Sequence, residues 1–330
     1  MFIYVTVIKI ESMSFSFVDL FSGIGGFHIA AHKLGGICIQ ACDINKVARE
    51  IYWSNFKILP HDDIYTIPSP KQRVDLVTFG NPCQPYSSCG QRKGLDDDRG
   101  KLVYEVVKYL QGTNATCFIM ENVYGLVTVN QGLDFKKILN MFRRLGYKLA
   151  VFTLNAQDFN IPQHRVRVYV VGHKTVDFNP GMIPTKRKKF VMNDLLDTNA
   201  DLSKLKSTHF NNVPLTLTPV ITKSNFHLRA KINNYTQNKL FSSYGDVGTV
   251  LARWSPVIYD ERNSLVRELS QRELLNLQGF PKSYKWPQTI SRRDTIRCIG
   301  NSVCVPVIYA IIKAMLQQGL IQCRVMQITP

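Results

Sequence analysis

Eight residues, GNPCQPYS (80–87), set Cys83 between Pro82 and Pro85 directly after the apolar run VDLVTF (74–79). Proline fixes φ and removes a backbone donor, and it drives the residue before it toward extended geometry. A stiff bend just past a strand is therefore expected, and such a bend would hold one thiol in one place. A thiol attacks only as thiolate, so a fixed turn near positive charge suits a nucleophile. Glu121 stands at the end of a second buried-strand run, FIM (118–120). The carboxyl ends of strands are where open α/β sheets bind ligands. The other reading of Cys83, one of eight cysteines in the chain, is a packing thiol.

Cations come from QHRVRVYVVG (163–172). Residues two apart share a strand face, so Gln163, Arg165 and Arg167 line one side and Val166, Val168 and Val170 the other. Two arginines beside an apolar row need an anion or carboxylates nearby, and pairing with the sheet's own acids would meet that need. DLFSGIGGFHIA (19–30) adds Gly23, Gly25 and Gly26 between a strand and a helix. Glycine permits a tight turn and close approach to a ligand, which the helix's first amides would face. The spacing is not GxGxxG. Asp43 ends the next strand about twenty residues on, where an acid can accept hydrogen bonds from ribose hydroxyls. Asp63 in HDDI (61–64) could reach an adenine amino group. Together these favour an adenosine-containing cofactor; a structural glycine turn with surface acids is the alternative.

The elements that would position these groups alternate. Strands are expected at 15–21, 36–43, 74–80, 117–123, 151–161 and 166–174, and helices at 26–35, 45–56 and 135–146. Alternation implies right-handed crossovers and a mostly parallel sheet covered on both faces, an α/β fold. After residue 174 the chain turns polar and basic, so a second, smaller domain is expected. Helical patterning returns at 270–280, and 306–319 reads as a strongly apolar helix that needs a partner surface. The expected division is 13–175 plus 283–330 for the catalytic domain, 176–282 for the second domain and hinge, and 1–12 for an extension. Met1 and Met13 both stand as candidates for the effective start.

Composition narrows the partners. The 330 residues carry a net charge of +17, which suits a polyanion better than a small neutral ligand. Residues 178–245 hold ten basic and three acidic side chains, including KRKK (186–189). Phosphate contact is the reading favoured here, over a solvated basic face or an import signal. No apolar run reaches the roughly 18–20 residues of a membrane span, and the N-terminus lacks the pattern of a secretory signal. The cysteines form no CxxC pair; no metal is expected, and reduced thiols in an intracellular protein are.

The segments DLFSGIGG, GNPCQPYS, ENV (121–123), QHRVRVYVVG, RELSQRELLNLQGFP (267–281) and GNSV (300–303) occur in that order. This set resembles that of the cytosine-5 methyltransferases, over 15–174 and 265–310. The resemblance implies the Rossmann-like sheet of the S-adenosylmethionine-dependent methyltransferases with a smaller target-recognition domain, and methyl transfer from S-adenosylmethionine to carbon 5 of cytosine in a short specific sequence of duplex DNA. Cys83 would add to carbon 6, and Glu121 would hold a proton against ring nitrogen 3 and the amino group. Arg165 would orient base and acid, and Asn122 would support the loop. The base must be flipped out of the duplex, and 86–100 is similar to the family's mobile loop, with Cys89 where relatives often carry a hydroxyl. Phe21, Gly23, Gly25, Asp43, Asp63, Pro82, Leu102, Asn301 and Val303 would line the cofactor pocket. The segment 176–264 corresponds to the target-recognition region, with Thr249-Val250 resembling its Thr-Leu/Val pair. Ser87, Cys89, Arg99, Arg167, Thr249 and Val250 would meet DNA. A functionally paired restriction endonuclease would be a natural companion, and one copy acting on one strand at a time needs no dimer. Two alternatives stand beside this. One is the same chemistry on tRNA, whose enzymes carry Cys-Phe-Thr before Tyr-Gly where this chain reads LFSSYG (240–245). The other is a basic binding module without turnover.

Overall fold

The computed structural model describes residues 13–86, 93–185, 190–205, 220–221, 227–231 and 239–325. The extension 1–12, Ser87, Cys89 and the KRKK cluster lie outside the described residues.

The first half builds β1 (Met13–Leu20), α1 (Gly26–His32), β2 (Gly36–Cys42), α2 (Lys46–Phe56), β3 (Leu76–Phe79), α3 (Asp98–Thr113), β4 (Cys117–Val123), α4 (Gly125–Thr128), α5 (Leu133–Arg144), β5 (Lys148–Asn155) and β6 (Val166–His173). The main sheet runs β2-β1-β3-β4-β6-β5, and β12 (Arg324–Val325) joins the start of β1. β1, β2, β3 and β4 are parallel, whereas β6 lies antiparallel between β4 and β5. The β5–β6 connection is too short for a crossover helix, and an antiparallel neighbour is what such a link permits. The expected strand at 151–161 ends early, because Ala156–Phe159 closes into a 3₁₀ turn capped by the Asn155 side chain.

Two apolar layers sandwich the sheet. Alternation along β1 sends Phe15 and Phe17 to one layer and Val18 and Leu20 to the other. α5 shows why its sequence is helical: Phe135, Ile138, Leu139 and Phe142 recur on one buried stripe against Phe118 and Phe79.

The second half adds a five-stranded sheet of β7 (Val220–Ile221), β8 (His227–Lys231), β9 (Lys239–Ser242), β10 (Val257–Asp260) and β11 (Leu265–Glu268), in chain order across the sheet. Then come α6 (Gln271–Leu277), α7 (Arg292–Asn301) and α8 (Val305–Gln317). The span Arg292–Gln317 is apolar and long enough to cross a bilayer by composition. It is nevertheless two helices broken at 302–304, and α8 is buried against α1 and the sheet. A helix apolar all round belongs inside. The same layer takes in Met192, Phe241, Ile258 and Leu274, so one core joins the first sheet to the second.

Candidate active site

β3 and β4 are parallel neighbours in register Phe79↔Met120. The residues just beyond therefore emerge side by side at one sheet edge. Gly80 lies so close to Glu121 that a Cβ there would sit 3.6 Å from Glu121 Oε2. Asn122 is buried and donates its amide to Asn81, to the carbonyl at 3.1 Å and the side-chain oxygen at 3.2 Å. Its own oxygen accepts the Val123 amide at 2.8 Å. Asn122 thus ties the end of β4 to the loop that carries Cys83. The turn itself is closed by the Tyr86 amide donating to the Cys83 carbonyl at 3.0 Å.

The two arginines meet different partners. Arg167 pairs with Glu121, Nε to Oε1 at 3.2 Å. It faces Val123 across the β4–β6 ladder, and Glu121 is two residues along that strand on the same face. Arg167, expected at DNA, is therefore the direct partner of the acid. Arg165, expected to orient base and acid, lies just ahead of β6. Its guanidinium donates to the carbonyls of Val250 at 3.1 Å, Gly300 at 3.3 Å and Ser302 at 2.7 Å. Full burial brings its pKa down to about 10, which leaves it charged near neutrality. It braces the site by joining β6 to the 250 and 300–302 segments.

Burial pushes the Cys83 thiol above its ordinary range; Arg167 and Arg165 oppose this and Glu121 adds to it. The free protein therefore holds Cys83 as thiol, and only the deprotonated form reacts. Iodoacetamide labelling of Cys83, read by peptide mapping, is expected to climb with pH until it passes the raised pKa, beyond the roughly 8.5 of a free thiol. Arg167→Gln, lacking one stabilising cation, should move that climb to still higher pH. A plateau below pH 8 would contradict both statements.

At the same edge, just past β1, Phe21, Gly23 and Gly25 all have positive φ, at 51°, 53° and 83°. A Cβ at Gly25 would strike the Phe56 ring at 2.2 Å, while one at Gly23 would meet nothing within 4 Å. Gly25 is thus needed for packing, and Gly23 borders open space. Asp43 accepts the Gly23 amide at 2.7 Å and the Asn45 amide at 2.8 Å, so it shapes the glycine turn as well as facing it. Burial raises its pKa against those hydrogen bonds and Arg49. Val303 packs against α1 where a Gly26 Cβ would be 2.7 Å from its methyl. Asp63 follows His61, whose carbonyl accepts the Asp43 amide at 2.9 Å. Pro82 and Leu102 are half-buried and Asn301 is exposed.

Of the expected DNA-facing residues, Arg99 is exposed and forks onto Asp97 at 2.7 and 2.9 Å. Thr249 donates its hydroxyl to the His164 carbonyl at 2.5 Å. Val250, expected at DNA, has its side chain fully buried; its amide donates to Gln163 Oε1 at 2.9 Å and its carbonyl receives Arg165. The pair's backbone thus joins this segment to the residues just ahead of β6. Two further residues escape a motif reading. Asn81 holds Asn122, and Ile44 is 82 % exposed directly after Asp43. An apolar residue immediately after a strand-end acid was the available signal for Ile44.

An α/β sheet with a glycine turn after β1, an acid after β2 and a cysteine loop after β3 defines a methyltransferase-type fold. The chain matches the Entamoeba histolytica methyltransferase EhMeth with a TM-score of 0.73 at 20% identity, covering 93% of this chain and 99% of that one. The S. pombe Dnmt2 methyltransferase matches with a TM-score of 0.70 at 22% identity, over 92% and 98%. The model for the C-5 cytosine-specific DNA methylases matches residues 15–317, so the chain belongs to that family and is a DNA cytosine-5 methyltransferase. Similar sequences include the Type II methyltransferases M.HpaII of Haemophilus parainfluenzae, 32% identical over 92% of this chain and 90% of that protein, and M.DsaV of Dactylococcopsis salina, 32% identical over 93% and 87%.

Proposed function

We propose that the protein methylates carbon 5 of cytosine within a short specific sequence of duplex DNA through transient covalent attachment of Cys83 to a flipped-out base. The observation that carries this reading is the Cys83 loop and Glu121 at adjoining strand ends, with Arg167 on the acid and Asn122 on the loop. Carbon 5 is a poor nucleophile. Addition of the Cys83 thiolate to carbon 6 would move ring electrons to carbon 5, while Glu121 holds a proton against nitrogen 3 so that charge does not accumulate. Arg167 would orient Glu121, and Arg165 would hold β6 in place. After methylation the carbon 5 proton leaves to a base, the Cys83–carbon 6 bond breaks and the thiolate is regenerated.

S-adenosylmethionine fits the glycine turn. Gly23 borders open space, the Ser22 hydroxyl is buried without a hydrogen-bond partner, and Asp43 has lone pairs beyond its two backbone donors. Phe21, Gly23, Asp43, Ile44, Asp63 and Val303 would hold it, and when bound it supplies a methyl group on cationic sulfur. The second sheet with 176–282 would read the sequence, and Arg99 and Thr249 would meet DNA. It would act as a single intracellular copy, and the Type II names of its relatives support a restriction-modification setting in which a restriction endonuclease is its functional companion.

Tritiated methyl transfer to duplex DNA and to tRNA tests the substrate. Label in duplex DNA is expected, with bisulfite sequencing of DNA from expressing cells reporting one short motif. Label confined to tRNA would overturn the reading in favour of the same chemistry on RNA.

A further inference from the structure

Between the Cys83 turn and α5 lies a knot of backbone that the proposed chemistry does not use. Asp134, in the first turn of α5, is buried, and its Oδ2 accepts the Leu95 amide at 2.9 Å and the Asn130 side-chain amide at 2.8 Å. Gly94 donates its amide to the Pro85 carbonyl at 3.1 Å. The fully buried Tyr86 donates its hydroxyl to the Gly100 carbonyl at 3.4 Å. Contacts therefore run from Asp134 through Leu95 and Gly94 into the turn of Cys83–Tyr86.

This arrangement is strained. Asn130, Gln131 and Gly132 have successive φ values of 47°, 54° and 79°, a conformation that costs free energy at each non-glycine residue. Gly94 has φ 58°, and a Cβ on it would lie 1.9 Å from Asp134 Oδ2. A Cβ on Gly100 would lie 2.1 Å from the Gly94 carbonyl. An acid that merely complements the α5 dipole needs none of this strain and close approach.

We infer that Asp134 is a positioning residue for Cys83, holding the nucleophile's turn through the Leu95 amide, Gly94 and the Pro85 carbonyl. The inference rests on Cys83 being the nucleophile. Because both hydrogen bonds end on one oxygen, Asp134→Asn can keep them while losing the charge, and Asp134→Ala keeps neither.

The test compares these two variants and Gly94→Ala with the wild type. It measures kcat and KM for transfer to duplex DNA, S-adenosylmethionine affinity, and the rate at which iodoacetamide labels Cys83. Asp134→Ala is expected to lose tenfold or more in kcat with cofactor affinity within twofold, and its loosened turn should label at least threefold faster. Asp134→Asn should stay within twofold of wild type in both. Wild-type kcat and labelling in Asp134→Ala would overturn the inference, as would Asp134→Asn falling as far, which would assign the residue to helix charge. Should Asp134→Ala not fold, Gly94→Ala attacks the same contact from the loop side: the same loss supports the inference and a wild-type rate ends it. A wild type that transfers nothing to DNA would sink the proposed function, while the labelling comparison would still decide Asp134.

Discussion

Replacing Cys83 with serine is expected to reduce methyl transfer by roughly 10⁴-fold or more, the scale of losing a nucleophile outright. A hydroxyl has the shape but not the acidity to add to carbon 6. Cys83 is only half-buried in its turn, and replacing sulfur by oxygen leaves the Tyr86 and Asn122 contacts untouched. The variant should therefore fold, with stability within about 1 kcal/mol of wild type, and should still bind duplex DNA. The sharper measurement uses an oligonucleotide with 5-fluorocytosine at the target position. Fluorine cannot leave as a cation, so elimination halts and the wild type should remain attached to DNA after denaturation, through the peptide containing Cys83. Cys83→Ser should form no adduct. A variant that retains transfer, or an adduct mapped to another cysteine, would remove the basis of the proposed chemistry.

The second large effect concerns stability. Arg267 is 1 % exposed and lies between two buried acids, with Nε to Asp260 at 2.8 Å and Nη1 and Nη2 to Glu273 at 2.9 Å each. Glu273 also accepts the Ser270 amide at 2.7 Å as part of a capping box, so one guanidinium joins β10, β11 and α6. Arg267→Met is expected to destabilise the protein by about 3–5 kcal/mol, because it leaves buried acids without their cation. Burial acts to raise the Asp260 pKa, but hydrogen bonds from Asn263 and Arg267 outweigh it and hold the carboxyl below its ordinary range. In the wild type this contribution is present above the unfolded value, about 3.9, and is lost as pH falls through the lower folded value. Without Arg267, burial should push Asp260 upward instead, so the variant's deficit should shrink as pH falls toward 4. Urea unfolding at pH 7.5 and 5 measures both. An unfolding midpoint equal to wild type at pH 7.5 would show that the ion cluster carries no net stability.

The strands and helices of the first half were legible because their burial is local and periodic. Phe15 and Phe17 alternate with Val18 and Leu20, and α5 repeats its stripe every three or four residues. Helix α3 was not foreseen: its polar start, DDDRG, reads as the end of a loop. Its cap, Asp97 accepting the Arg99 amide at 2.9 Å, and the buried Val103, Val106 and Leu110 were the signals. Helix α7 was missed in the same way, with Ser291 capping the Asp294 amide at 3.1 Å. The arginines mark a harder limit. Arg165 and Arg167 share a face of one strand, and no local pattern says which meets the acid. That depends on three carbonyls 85, 135 and 137 residues away arriving around Arg165.

By itself the sequence determined the chemical inventory: a thiol in a proline-stiffened turn, an acid ending the next strand, a glycine turn with its acid, and an α/β order that brings strand ends to one edge. These follow from backbone stiffness and hydrophobic periodicity, which act over a few residues. Only the tertiary structure decided that Arg167 holds Glu121, that Val250 is core, and that Asp134 reaches the Cys83 turn. Those assignments depend on which distant carbonyls and amides meet a buried charge, and burial makes such partners obligatory without naming them in advance.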